Sequence, residues 1–159
     1  MGQKKKPVLG ICMGMQAMAI FSVMFEETHS KYVKMSSEEI NAVYQNMKKE
    51  NPTLEMLEKP NGHGSVILNR TNEEEAKHFI QIEAGSFLEE VYGILEERVV
   101  SLHNVVVRRV GPLFKIVAHA PDGIIEAIES VDPTLFWIGV QFHPEVTNDP
   151  LIAKWIEKI

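Results

Sequence analysis

A single cysteine inside an apolar run constrains the fold of this chain more than any other feature. Residues 8–25 are almost entirely apolar, and Cys12 lies there in the pattern G-x-C-x-G at residues 10–14. Residues 7–11 resemble a short buried strand, and residues 13–25 have the length of a helix. The two glycines predict a sharp turn that presents Cys12 at the start of the helix. Because the helix dipole and its free N–H groups favour a thiolate there, the pattern predicts a nucleophile.

Three lysines precede the same run, which raises the alternatives of an export signal or a membrane anchor. The run ends in "SVMFEETH" without a small-residue cleavage site, and bulky Ile11 directly before Cys12 does not fit a lipoprotein signal. The run of about 18 apolar residues is at the lower limit of length for a membrane-spanning helix. We therefore expect no membrane partner and, because a lone thiol indicates a reducing compartment, a cytoplasmic protein. Taken by itself, Cys12 also fits a buried, inert cysteine.

Length and charge exclude other classes. A chain of 159 residues suits a single domain, 1–159, that buries a core without disulfides. Sixteen Lys and Arg against 22 Asp and Glu give a formal net charge of −6, the wrong sign for holding a nucleic-acid backbone. We therefore expect no nucleic-acid partner. Cys12 and the histidines show no metal-ligand spacing, so the sequence assigns no metal and no cofactor.

Helix and strand signals follow along the rest of the chain. Ser36 and Glu39 form a capping box at the start of one predicted helix, and Asp149-Pro150 predicts the start of another. In the second helix the residues expected to face inward are Leu151, Ile152, Trp155 and Ile156. Strand-like runs occupy residues 65–68, 79–82, 99–102, 114–120, 123–129 and 136–142. Pro121-Asp122-Gly123 predicts a hairpin between two of these runs.

A second informative stretch is "GVQFHPEV" at residues 139–146, where an apolar strand ends in His143-Pro144-Glu145. Residues two apart on an extended strand face the same side, which makes His143 a candidate base and Glu145 its orienting carboxylate. A nucleophilic cysteine needs such a pair to take its proton and fix the imidazole tautomer. His143 alone would fit a satisfied core or loop histidine, but together with Cys12 it indicates a catalytic triad.

These two motifs, "GICMGMQ" and "GVQFHPE", resemble those of the class I glutamine amidotransferase domain. Residues 99–145 are similar, more narrowly, to the gamma-glutamyl-gamma-aminobutyrate hydrolase branch of that family. The resemblance implies an α/β fold of the flavodoxin-like type, with a mixed sheet flanked by helices. It implies that Cys12 is the nucleophile, His143 the base and Glu145 its orienter. It also implies that a gamma-glutamyl substrate is held by Gln16, Ser101 and His103.

The expected reaction is hydrolysis of a gamma-glutamyl amide through a thioester on Cys12, with the backbone N–H of Met13 as one oxyanion donor. In the resembling family a long segment before the nucleophile supplies the second donor, whereas this sequence has "MGQKKKP" there. We therefore expect an N-terminally truncated domain, and the loss of one donor costs about 3–4 kcal/mol. A second departure is "HNVVVRR", where the family tends to carry a glutamine after the histidine.

The alternative is a catalytically impaired remnant that acts as a binding or self-associating module. A strand edge left uncovered by truncation favours a homo-oligomer or a partner chain. Without the resemblance, Gln16 fits a capping or surface group, and His103 a residue that satisfies a loop carbonyl. His78 and His119 are expected to be structural. Alternation along residues 123–129 predicts that Glu126 faces solvent.

Overall fold

A computed structural model of the chain describes residues 6–28, 35–50, 52–57, 63 and 76–159. Its strands are β1 (Val8–Ile11), β2 (Leu54–Met56), β3 (Lys77–Ile82), β4 (Glu96–Val100), β5 (Val105–Val107), β6 (Phe114–His119), β7 (Ile125–Ser130) and β8 (Trp137–Val140). Its helices are α1 (Met13–Glu27), α2 (Ser37–Glu50), α3 (Phe87–Tyr92) and α4 (Pro150–Glu157), and a 3₁₀ turn covers Pro144–Val146. The strand predicted at residues 65–68 lies outside the described residues.

The described strands form one sheet in the order β1-β8-β7-β6-β3-β4, with β5 paired to β7 and β2 paired to β5. β1 and β8 run parallel, with Gly10 opposite Gly139, and the other described pairs are antiparallel. The predicted α/β architecture with a mixed sheet is therefore confirmed. Because neighbouring parallel strands end at the same edge of a sheet, the segments after β1 and β8 lie side by side.

The hairpin predicted around Pro121-Asp122-Gly123 joins β6 to β7. Gly123 has φ 83°, a left-handed conformation that glycine adopts without a steric penalty. The Asp122 carboxylate accepts a hydrogen bond from the Ile124 N–H at 3.2 Å, which closes the turn. This turn sets the register of β7, the strand that carries Glu126.

Both predicted helix starts are present. The N–H of Ser36 donates to the Glu39 carboxylate at 2.7 Å, and the N–H of Glu39 donates to the Ser36 hydroxyl at 3.3 Å, as in a capping box. Asp149 caps α4 by accepting from the Leu151 N–H at 2.8 Å.

The inward face predicted for α4 is wrong at one position. Leu151 is fully buried, whereas Ile156 is 57% exposed. At 3.6 residues per turn Ile156 lies about 140° around the helix from Leu151, so the two cannot both face the sheet.

Helices pack against the sheet over two apolar clusters. Met15, Met18 and Ala19 of α1 belong to one cluster with Ile125 and Ile128 of β7. The other cluster lies under α3 and α4; its members include Phe87, Leu88, Phe142 and Leu151. Burial of these side chains fixes α1 against β1 and β8, and with it the position of the turn at Cys12. Within the described part of the chain, no helix combines the length and apolarity needed to span a bilayer.

Candidate active site

Cys12 occupies a strained turn between β1 and α1. Its φ of 50° and ψ of −103° make it the one non-glycine residue with positive φ in the described part of the chain. Such a conformation costs roughly 1–3 kcal/mol and persists where neighbouring structure enforces it. Here the Cys12 N–H donates to the carbonyl of Val140 at 2.8 Å, and the Cys12 carbonyl accepts from the N–H of Gln16 at 3.1 Å. The predicted nucleophile turn is therefore formed by β8 on one side and α1 on the other.

The two glycines around Cys12 differ in how much space surrounds them. A Cβ atom at Gly10 would lie 2.6 Å from Sδ of Met18 and 2.8 Å from the backbone carbonyl carbon of Gly14. At Gly14, by contrast, a Cβ would meet nothing within 4 Å. Close packing of β1 against α1 thus requires the first glycine of the pattern but not the second.

His143 follows β8 and is held by Glu145. The N–H of His143 Nδ1 donates to Oε1 of Glu145 at 2.6 Å. The sequence predicted this pair from extended-strand geometry, but β8 ends at Val140 and residues 144–146 form a 3₁₀ turn. Pro144 at the first position of that turn has the fixed φ that such a turn needs. The pairing was therefore predicted for the wrong backbone conformation.

The second ring nitrogen of His143 is available to Cys12. Nε2 is buried and has no hydrogen bond of regular geometry within the described residues. The Cys12 side chain is the largest influence on the His143 pKa, and with Glu145 it raises that pKa from 6.5 to about 9 against the opposing effect of burial. At neutral pH the ring is consequently an imidazolium beside the cysteine sulfur, ready to donate a proton.

The side chains of the site are partly exposed to solvent. Cys12 is half-buried, the His143 side chain is 18% exposed, and the Glu145 side chain is 45% exposed. Cys12, His143 and Glu145 are thus brought together beyond the ends of β1 and β8, and their roles as nucleophile, base and orienting carboxylate stay a prediction.

A glutamine that the sequence reasoning missed also contacts the sulfur. Gln141 is fully buried, and its Nε2 donates to Sγ of Cys12 at 3.7 Å. Its Oε1 accepts from Nε2 of Gln16 at 3.4 Å, and Gln16 also donates to the carbonyl of Val105 at 3.1 Å. The sequence signal for Gln141 was its position as a polar residue inside the otherwise apolar run at residues 136–142. Gln16 is buried, not a surface group, and its contact with a substrate stays a prediction.

Ser101 and His103 are buried away from solvent, with side chains engaged elsewhere. The Ser101 hydroxyl and the His103 N–H both donate to the carbonyl of His63, each at 2.8 Å. The His103 ring lies beside Glu126, with Nε2 to Oε1 at 3.4 Å. Their predicted role in holding a glutamyl group is untested by these contacts.

The prediction that Glu126 faces solvent is wrong, because its side chain is fully buried. β7 has neighbours on both edges, and residues 125–129 along it are all buried. In a strand covered on both faces, alternation no longer separates inside from outside.

Comparisons with known proteins identify the family of the chain. Residues 1–145 match the peptidase C26 family. A glutamine amidotransferase-like protein of Rickettsia prowazekii is 34% identical over 161 aligned positions, which cover 92% of this chain and 56% of that protein. A glutamine amidotransferase-like protein of Lactococcus lactis is 29% identical over 147 positions, covering 91% of this chain and 48% of that protein. The chain therefore spans about half the length of these curated relatives.

Solved structures show the same fold. A protein assigned as a GMP synthase component from Thermoplasma acidophilum superposes with a TM-score of 0.55 at 15% identity, over 97% of this chain and 55% of its own. A glutamine amidotransferase from Thermotoga maritima superposes with a TM-score of 0.50 at 18% identity, over 96% of this chain and 46% of its own. With a family match that covers most of the sequence, the chain belongs to the peptidase C26 family of glutamine amidotransferase-like proteins.

Proposed function

We propose that this chain hydrolyses the side-chain amide of a gamma-glutamyl compound, glutamine or a gamma-glutamyl amine, through a glutamyl thioester on Cys12. The observation that carries the proposal is the strained Cys12 turn beside a His143 ring whose other nitrogen is bonded to Glu145. The relatives' description as glutamine amidotransferase-like supports a glutamyl amide as the substrate. Since the chain spans about half of each relative, the proposal concerns the chemistry of the triad, not the whole activity of a relative.

In the first step the Cys12 sulfur, as thiolate, attacks the amide carbon and a C–S bond forms. The His143 imidazolium donates its Nε2 proton to the leaving nitrogen, the C–N bond breaks, and amine or ammonia departs. In the second step His143, now neutral, takes a proton from water as the water oxygen attacks the thioester. The C–S bond breaks, glutamate leaves, and Cys12 returns to thiolate beside imidazolium.

Charge on the carbonyl oxygen develops beside the start of α1. Met13 is the first residue of that helix, and the first N–H groups of an α-helix have no partner within it. The Met13 N–H is thus the oxyanion donor that this chain supplies in our proposal. The amine portion of the substrate is left to experiment, although the similarity of residues 99–145 favours a gamma-glutamyl amine such as gamma-glutamyl-gamma-aminobutyrate. A thiol that must stay reduced for this chemistry also favours a cytoplasmic location.

Covalent labelling combined with turnover tests the proposal. The purified chain is incubated with a glutamine-derived diazoketone or chloromethyl ketone, and intact mass is measured. Ammonia release is followed with glutamine, and amine release with gamma-glutamyl-gamma-aminobutyrate. We expect one adduct per chain, mapped to Cys12 and lost in Cys12→Ala, together with release from at least one substrate. No adduct combined with no release from either substrate would overturn the proposal.

The second candidate is a self-associating module, and one feature of the sheet favours it. β1 pairs only with β8 among the described strands, so its other edge offers N–H and C=O groups to a further strand. Val8 on this strand is 36% exposed. We propose that a second copy or a partner chain covers the edge. A monomer by sedimentation at high concentration, with no partner recovered by cross-linking in cells, would count against this candidate.

A further inference from the structure

Three histidines and one glutamate converge in the interior, apart from the Cys12 site. Their side chains are nearly or fully buried, with 4%, 11%, 1% and 0% of the surface exposed for His63, His78, His103 and Glu126 respectively. They come from four segments: residue 63, β3, the connection between β4 and β5, and β7. Burial of a carboxylate is costly unless a cation or several donors compensate its charge.

The distances from Glu126 to the three histidines match the edges of a tetrahedral metal site. Glu126 Oε1 lies 3.3 Å from Nδ1 of His63 and 3.4 Å from Nε2 of both His78 and His103. One ligand atom from each of the four residues falls within 4.8 Å of the other three. In a tetrahedral zinc site with bonds of about 2.0–2.1 Å, ligand atoms are about 3.3–3.4 Å apart. The three measured edges therefore have the length that a metal at the centre requires.

Hydrogen bonds outside the cluster fix two of the rings with a lone pair directed inward. Nε2 of His63 lies 3.0 Å from a carboxylate oxygen of Asp122, and Nδ1 of His78 lies 2.9 Å from the carbonyl of Phe79. Both acceptors need a proton on those nitrogens, so each neutral ring offers a lone pair through its other nitrogen. A carboxylate or carbonyl behind a ligating histidine is the usual outer partner in metal sites.

Protons are a poorer explanation of the cluster than a metal ion. A protonated ring would donate to Glu126 with ordinary hydrogen-bond geometry. Instead, three nitrogens approach one oxygen at 3.3–3.4 Å. None of those nitrogens and neither carboxylate oxygen makes a hydrogen bond of regular geometry within the described residues. A metal ion at the centre would satisfy all of these atoms at once.

We propose that His63, His78, His103 and Glu126 bind one Zn²⁺ ion. Three imidazoles and a carboxylate suit zinc among the common metals, and four protein ligands without an open position are typical of a structural site. The ion ties three separated parts of the sheet to the segment at residue 63. It also braces the catalytic turn, because the backbone carbonyl of Glu126 accepts the N–H of Gln141 at 2.8 Å, and Gln141 contacts the Cys12 sulfur.

The test is zinc binding by the full chain without a polyhistidine tag. Metal is removed with a chelator, Zn²⁺ is added in competition with a chromophoric chelator, and bound zinc is counted by elemental analysis. We expect one zinc per chain. Cys12→Ala and His119→Gln, which change a thiol and a histidine outside the cluster, should bind as the unaltered chain does, whereas Glu126→Gln should lose more than about 100-fold in affinity.

Asp122→Asn is a milder variant, because the Asp122 side chain is 50% exposed and the amide oxygen of asparagine can still accept the Ile124 N–H that closes the turn. It should weaken zinc about 10–100-fold, the usual effect of removing an outer partner. X-ray absorption at the zinc edge of the unaltered chain should show three imidazoles and one oxygen, with no sulfur. Absence of stoichiometric zinc in the folded chain, a sulfur ligand, or unchanged affinity in Asp122→Asn would each overturn the proposal. Loss of Cys12 labelling alone would bear on the proposed function, not on this site.

Discussion

The Cys12 site and the histidine cluster are built in opposite ways. Cys12 and His143 each lie in a short motif that also contains the residues forming its turn, and the parallel pairing of β1 with β8 brings the motifs together. The cluster takes one residue from each of four segments that are separated along the sequence. The first site is half-open and strained at Cys12, whereas the second is closed and buried.

This difference teaches what each site is suited to do. A nucleophile must be reached by substrate, and Cys12 and His143 lie beyond the ends of β1 and β8, where both side chains are only partly buried. Four buried ligands leave no position for a substrate, so the cluster suits a stabilising ion. We therefore expect substitutions in the first site to change rate with little change in stability, and substitutions in the second to do the reverse.

The largest effect is expected at the triad itself. Cys12→Ala and His143→Ala should each lower turnover of a gamma-glutamyl amide by about 10³-fold or more, because nucleophile and base act as a unit. For the same reason, the double variant should lose no more than either single one. Steady-state rates measure this, and urea unfolding should show stability near that of the unaltered chain. Losses that add on a logarithmic scale would contradict the assignment of the pair.

The next largest effect is expected at the histidine cluster. Glu126→Ala removes a fully buried carboxylate and, with it, one of the four proposed zinc ligands. We expect a loss of about 3–5 kcal/mol in the free energy of unfolding, measured in urea with zinc present. Cys12 in the remaining folded fraction should still be labelled by the electrophile. Unchanged stability with abolished labelling would place Glu126 in the active site and end the contrast.

The same contrast explains what could be predicted from the sequence. The Cys12 turn, the hairpin at residue 123 and both helix caps depend on neighbouring residues, so local patterns predicted them. β2 and β5 were not predicted, because strands of three residues are too short to show alternation. Glu126 was predicted to face solvent because alternation assumes one exposed face, whereas the structure buries residues on both faces of β7.

A smaller effect is expected from the orienting carboxylate. With a His143 pKa of about 9, raised above the 6.5 of the free side chain, the ring keeps the proton for the leaving amine until pH approaches 9. We therefore expect an alkaline limb, a fall in kcat/KM as the pH rises through about 9. The stability that the protonated ring contributes should be fully present below pH 6.5 and lost as the pH rises through about 9. Glu145→Gln should move the limb to lower pH and reduce the rate by about 10–100-fold.

The measurement is kcat/KM of the unaltered chain and of Glu145→Gln over about pH 6–10, a range around the free and raised pKa of His143. Glu90→Gln, which alters a carboxylate paired with Lys158 on the surface, serves as the matched control and should leave the limb in place. An alkaline limb at the same pH with and without the Glu145 carboxylate would show that Glu145 does not act on His143.

The smallest effect separates the two glycines of the catalytic turn. In Gly10→Ala the added methyl would press on backbone atoms of the helix start, with the Gly14 carbonyl carbon at 2.8 Å and the Met15 nitrogen at 3.0 Å. Overpacking of this kind costs about 1–3 kcal/mol. Gly14→Ala meets nothing within 4 Å, and alanine in a helix is favoured over glycine by about 0.5–1 kcal/mol. Urea unfolding should therefore show a lower free energy of unfolding for Gly10→Ala and a higher one for Gly14→Ala. Labelling of Cys12 should be slower in Gly10→Ala alone, because only that methyl displaces the backbone that holds Cys12 at positive φ.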